Sequence, residues 1–427
     1  MTDLTFAVFF DRFGGLVLGW GWLIVLLSLL WIAWKTYLLL KAIDFTYGVQ
    51  WTFLQVNVPV ESAQTPKSME NVFDVVSGFH KPPDVVERFF EGYQDAWFSC
   101  EVHCQPGRAR YILVVPTLHR KFIEGVVYGQ YPTAEIKEVE DYTQQFSHED
   151  IEKTFDLFGT EIALVEDDIY PIRTYVEYED SLAEDDKYID PHQALIEAYT
   201  NLEEGEQFWY QVLVKPIDAK KITAWQEKGE EKIAEIAGTA KDKPKGIGEQ
   251  LLDFAKKLPG DFYNVFMKGP LEPEYELEEK SQFKLFNPVD EARMKGILQK
   301  TSRNAFLTKI RIIYLAPAGR YRKPAQGTAI GVFKQFNTFH MNSFKPDKLT
   351  KTSGPTYFFK RSRRKFRKRN AFLSFQWRDF FGNDSGSMMT AEELATLYHF
   401  PVKYVKSPAI EHATSGLGSA PENLPYA

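Results

Sequence analysis

The chain is poor in the residues that most often declare a chemistry. Only two cysteines, Cys100 and Cys104, occur in 427 residues, too few for a disulfide-stapled secreted scaffold and in keeping with a reducing compartment. No glycine is followed by a lysine anywhere, so the phosphate-cradling loop of P-loop nucleotide hydrolases is absent. That loop needs glycines to free its backbone N–H groups and a lysine to meet the phosphates. GTAIG at 327–331 lacks the remaining glycine of a dinucleotide fingerprint. The eight histidines are scattered, and neither HExxH nor GxSxG occurs. Cys100, His103 and Cys104 are close in sequence, but in a strand the two thiols share one face and the imidazole points to the other, which argues against zinc. The acidic residues Asp167, Asp168, Glu184, Asp185 and Asp186 read as solvated loops rather than paired catalytic carboxylates. No catalytic residue, cofactor or metal is expected, and the chain reads as non-enzymatic.

Apolar residues make up 44% of the chain and aromatics 15%, enough for at least one sizeable core. The formal net charge of -7 names no partner by itself. From Phe13 to Trp34 no charged residue occurs. Twenty helical residues rise about 30 Å, the thickness of a bilayer's hydrocarbon core. Trp20, Trp22, Trp31 and Trp34 are placed to act as interfacial anchors. A cleaved signal peptide fits poorly, because Asp3 and Asp11 stand where a basic region belongs and no small-x-small cleavage site follows. Lys35 and Lys41 follow the apolar run, and the positive-inside bias puts what comes after them in the cytoplasm. Gly15 and Gly19 form a small-xxx-small pair that would let two such helices approach.

After the anchor the sequence reads as α+β. WTFLQVNVPV (51–60) predicts a strand and PKSMENVFDVVSGFH (66–80) a short helix. WFSCEVHC (97–104) and RYILVVP (110–116), joined by QPGRA, predict a hairpin. A helix over 118–130 and a strand over 134–142 follow. This ββαβ order suits ferredoxin-like layers. A helix-then-strand step recurs at 190–202 with 206–216, and again at 287–301 with 304–317, as if the first unit had a second copy. Between these lies a stretch rich in Lys, Glu, Gly and Pro, with amphipathic helical runs at 222–237 and 247–257. It reads as a helical insertion. The expected organisation is a membrane anchor over 1–45, a first α+β lobe over 46–219, the charged insertion over 220–280, a second α+β lobe over 281–405 and a tail over 406–427.

One positive cluster stands out. KRSRRKFRKR places Lys360, Arg361, Arg363, Arg364, Lys365, Arg367, Lys368 and Arg369 within ten residues, a local polycation in an acidic chain. Such runs meet the phosphates of nucleic acid or of lipid headgroups, or a partner protein.

Several stretches carry a resemblance: WTFLQVNVPVESAQTPKSMENVF (51–73), FIEGVVYGQYPTAEIKEVEDYT (122–143) and DPHQALIEAYTNLEEGEQFWYQVLVKPI (190–217). GVFKQFNTFHMNSFKP (331–346), TAEELATLYHFP (390–401) and APENLP (420–425) add to it. The layout resembles the membrane-anchored region that precedes the motor in bacterial type IV secretion or conjugation-type traffic ATPases. The resemblance implies a single-pass bacterial inner-membrane protein that recruits or positions a separate conjugation-type ATPase, as a homo-oligomer or part of a larger assembly. The alternative is a membrane-tethered nucleic-acid-binding protein using residues 360–369.

Overall fold

The computed structural model describes residues 2–59, 64–81, 83–178, 190–238, 287–353, 358–380 and 386–401. The second helical run of the insertion, Glu184 to Asp186 and the expected tail lie outside them.

A single helix, α1 (Thr2–Gly48), carries the apolar run. Among the described residues, Val25–Gly48 is long and apolar enough to cross a membrane, and almost none of it is buried. Two residues later begins β1 (Trp51–Asn57). It is followed by α2 (Pro66–Val76), the hairpin β2 (Phe98–Gln105) and β3 (Arg108–Pro116), then α3 (Arg120–Gln130) and β4 (Glu135–Glu138). Pro106 and Gly107 close the hairpin, with proline fixing the first turn position and Gly107 adopting φ +64° at the second.

The second half runs β5 (Phe155–Leu164), α4 (Pro191–Thr200), β6 (Gln207–Pro216), α5 (Ala219–Ala237), α6 (Pro288–Thr301), β7 (Ala305–Pro317), α7 (Lys323–Gly331) and β8 (Phe344–Pro346). The chain continues with α8 (Lys360–Gln376), β9 (Ser387–Thr390) and α9 (Ala391–Leu397). Helices α4 and α6 start alike: Asp190 and Asn287 each accept a backbone N–H at the N-cap, and a proline fills the first helical position.

All nine strands join one sheet in the order β4-β1-β3-β2-β6-β7-β5-β8, with β9 beside β5 on the free edge of β7. Every pairing is antiparallel. The two halves repeat one pattern. Numbering strands within each half, both read 4-1-3-2, and their second strands, β2 and β6, pair to make the sheet continuous. The insertion leaves the second half at the point where the first half has its tight turn. The stretches 46–219 and 281–405 therefore share strands of one sheet, since β5 and β6 from the former flank β7 from the latter.

Alternation along the strands gives the sheet two dissimilar faces. Phe98, Cys100, Val102 and Cys104 of β2 face a helical layer with Phe73 of α2, Val127 of α3, Tyr199 of α4, Ala329 of α7 and Leu394 of α9 in the largest core cluster. On the opposite face Trp209, Ile313, Leu315, Ile112 and Val114 pack under Phe372 and Phe375 of α8. Helix α5 of the insertion and α6 of the second expected lobe pack on each other and dock through Trp225 and Ile297 against Ile169, Ile217 and Met388.

Candidate functional site

The basic run forms the first part of α8, a helix that local electrostatics disfavours. Cations cluster in its early turns, where the helix dipole is positive, and neighbours three and four residues apart repel. No acidic residue stands in the first turn and no side chain caps it. What holds the helix is its other end and its underside. Phe372 and Phe375 are fully buried. Lys368, alone of the eight cations in being buried, reaches Asp156 at 2.6 Å and Glu152 at 2.8 Å. Arg367 donates from Nη1 to the carbonyls of Lys351 and Lys348. The other six, Lys360, Arg361, Arg363, Arg364, Lys365 and Arg369, are exposed. Phe358, Phe359 and Phe366 lie exposed among them.

Beneath the helix's C-terminal end runs a row of polar side chains that no sequence motif announces. Glu101 of β2, Gln211 of β6, Arg311 of β7 and Glu161 of β5 stand opposite one another across four strands. Arg311 Nε meets Glu161 Oε1 at 2.8 Å. The last carbonyls of a helix lack partners within it, and this row supplies them. Gln211 Nε2 donates to the Phe375 carbonyl at 3.1 Å, and Arg311 Nη1 donates to the Ser374 carbonyl at 2.8 Å. Just past the helix Arg378, at φ +52°, turns back into the protein. Its guanidinium forks onto Glu101 at 3.0 and 3.1 Å and onto Asp141 at 2.7 and 3.0 Å. Burial works against that charge, but Glu101 and Asp141 outweigh it and hold the guanidinium above its ordinary range. Burial likewise opposes ionisation of Asp141, yet Arg378 keeps its carboxyl below the usual value. Glu101 also accepts from Ser99, Tyr142 and Gln211. A groove of about 450 Å³ opens between α8 and β5–β7, lined among others by Arg363, Phe366, Arg367, Arg311 and Glu161.

The same helix end touches the anchor: Trp377 stacks edge-on against Tyr47 with ring centroids 5.3 Å apart. Of the expected anchor residues, Trp22, Trp31 and Trp34 are exposed, and Lys35 Nζ lies 5.8 Å from the centre of the Trp31 ring. Gly19 has open space around it. Gly15 and Trp20 belong to α1, but their surroundings lie outside the described part. Residues 83–95 clasp the helix beyond Trp34. Phe89 approaches Trp34 and Tyr93 approaches Phe45. Gly92, at φ +72°, sits so close that a Cβ would stand 2.4 Å from the Lys41 carbonyl.

The remaining sequence candidates have structural settings. Cys100 and Cys104 are free thiols buried in the helical-face core, and burial pushes both up. His103 points to the other face, stacks on Tyr142 and is held at about 4 by burial. Among the described residues no group of three or more His, Cys, Asp or Glu is arranged to hold a metal. Asp167 and Asp168 attach the insertion, pairing with Lys228 at 2.7 Å and the Trp225 indole at 3.2 Å.

No curated protein matches the chain. A family model described as a domain of unknown function, DUF8128, matches residues 55–413, which takes in both halves of the sheet and the basic helix, and the chain belongs to that family.

Proposed function

We propose that the chain is a non-enzymatic scaffold of a bacterial inner-membrane machine of the type IV secretion or DNA-transfer kind. In this reading α1 spans the membrane once and the body lies in the cytoplasm, where it recruits or positions a separate conjugation-type ATPase. We read each half of the sheet as a ferredoxin-like unit, a reading supported by the repeated strand order. The observation that carries the functional proposal is the basic helix: it is pinned to the sheet from below, while six cations and three aromatic rings face outward. Like charges gathered with no counter-charge among the described residues raise the energy of the isolated body, and an acidic surface on a partner relieves that cost. The C-terminal end of the helix touches the anchor, and seventeen residues at about 1.5 Å each put its first cations roughly 25 Å away along the helix. If the helix points away from the bilayer, that distance suits a protein partner rather than lipid headgroups beside the anchor.

The test substitutes glutamine for Arg361, Arg363, Arg364 and Arg369, leaving Arg367 and Lys368 to hold the helix. Capture of the cognate ATPase should weaken and lose its salt dependence, with DNA binding feeble before and after. Nucleic-acid binding is the second reading, favoured by the arginine content and the exposed rings. It predicts tight DNA binding by the unsubstituted protein. For duplex DNA the salt slope would then shrink by about 0.9 for each phosphate contact removed, and that outcome with unchanged ATPase capture would overturn the scaffold reading.

A further inference from the structure

We propose that the body rests on the bilayer through an apolar ledge beside the anchor, formed by Val85, Val86 and Phe90 together with Leu118 and Phe122. The proposal builds on the membrane reading of α1 and adds a second, reversible point of lipid contact. Val85, Val86 and Phe90 are 65%, 53% and 61% exposed, and Leu118 and Phe122 are 88% and 45% exposed. Five large apolar side chains left bare beside the anchor of a body with well-filled cores call for a covering surface.

Their placement says what covers them. The 83–91 segment lies against α1, with Phe89 turned inward to Trp34 and Phe90 turned outward. Its polar groups pair among themselves: Lys81 Nζ meets Glu87 Oε1 at 2.7 Å, and the Asp84 N–H donates to Glu87 Oε2 at 2.9 Å. The segment thus sets exposed Val85, Val86 and Phe90 beside paired polar groups, the mix of an interfacial element that enters the boundary between headgroups and acyl chains. Leu118 follows Thr117, whose N–H donates to the Gln50 carbonyl just past the end of α1. Phe122 packs on Phe79, two residues before Lys81, with centroids 4.7 Å apart. The first patch lies beside α1 at the level of Trp34 and the second beside Gln50, where α1 ends, and Leu39 and Leu40 are exposed on the helix between those levels. The occupant that meets a membrane helix and these flanks together is the bilayer itself. Two contacts besides the helix fix the tilt of the body, and with it the direction in which the basic helix points.

The experiment uses the full chain in phospholipid nanodiscs. Since Cys100 and Cys104 are buried, single Val85→Cys, Phe90→Cys and Leu118→Cys variants take a nitroxide label selectively. Collision with oxygen, which concentrates in lipid, is compared with collision with a water-soluble nickel chelate. Leu298→Cys, exposed on α6, is the aqueous reference. The expected result is an oxygen-to-nickel ratio several-fold above the reference at positions 85, 90 and 118. Ratios equal to the reference overturn the ledge, and so does shielding from both reagents, which would mean that protein covers the patch. Alkaline carbonate extraction keeps the two readings apart. Protein that stays with the membrane while the labels report water refutes the ledge alone, whereas protein that is released refutes the anchor.

Discussion

Replacing Arg378 by methionine tests whether the buried polar row is what fixes the basic helix. The substitution keeps length and apolar bulk but removes every donor of the fork. Glu101, fully buried, would keep its bonds from Ser99, Tyr142 and Gln211 and lose its guanidinium partner. Asp141, 10% exposed, would keep its bonds from Thr143. Breaking a buried ion pair from one side typically costs about 3–5 kcal/mol. The retained hydrogen bonds and the partial exposure of Asp141 place this case toward the lower end. Adding Glu101→Gln removes the stranded carboxylate, so the double variant should recover at least about 1 kcal/mol relative to Arg378→Met alone. Urea unfolding of the full chain in detergent micelles, followed by near-ultraviolet circular dichroism, gives both values. A single variant within about 1 kcal/mol of the parent would refute the reasoning. So would a double variant less stable than the single one.

The pH dependence has a worked sign. His192 is lowered to about 3 and His103 to about 4 from 6.5, in both cases first by burial, so the unfolded chain binds their protons first and acid favours unfolding. Between pH 6.5 and 5 each should remove about 1.5 kcal/mol of stability. For His399, burial opposes the charge but Asp190 at 3.0 Å prevails and raises it. Its contribution is complete below 6.5 and is lost only as pH rises through its folded value, so it offsets none of the acid loss. Urea midpoints that stay flat from pH 6.5 to 5, or that do not flatten in His103→Gln and His192→Asn variants, would contradict this. Gly92→Ala should release the clasp on α1, because the new methyl meets backbone rather than a yielding side chain. The left-handed φ adds about 1–2 kcal/mol. Limited proteolysis should then cut within 83–95 at a higher rate, and an unchanged rate would show that the close approach is dispensable.

The sequence made the elements legible where periodicity and punctuation agree. The hairpin over 98–116, the helices that start at Asp190 and Asn287, and the strands after them lie within a few residues of the predicted bounds. The strand predicted over 134–142 is shorter, covering only Glu135–Glu138, because Asp141 caps the 3₁₀ turn that follows. The basic run was legible as composition and its helix was not, since the residues that stabilise it, Phe372 and Phe375 below and Gln211 and Arg311 at its end, are remote in sequence. The polar row left a faint trace: Glu101, Gln211 and Arg311 each interrupt an apolar strand. A charge in a buried strand must have a partner, but alternation cannot say which one. The clasp at Gly92 was likewise hidden, because positive φ and contact with Lys41 are tertiary facts.

The joining of two like halves through β2 and β6 has a consequence for the order in which the chain folds. In the first half, β2 and β3 are separated by a two-residue turn and pair at small entropic cost. In the second, β6 and β7 must find each other across the whole stretch from Pro216 to Ala305. Loop closure grows by about 0.6 kcal/mol per doubling, so this pairing carries roughly 3 kcal/mol more than its counterpart. The first half is therefore expected to form early, and its β2 edge then offers β6 a ready row of backbone partners. In that sequence β6 is seated before β7 arrives, and the older half acts as an internal template for the younger one. A ribosome delivering the chain from its N-terminus would present the pieces in the same order.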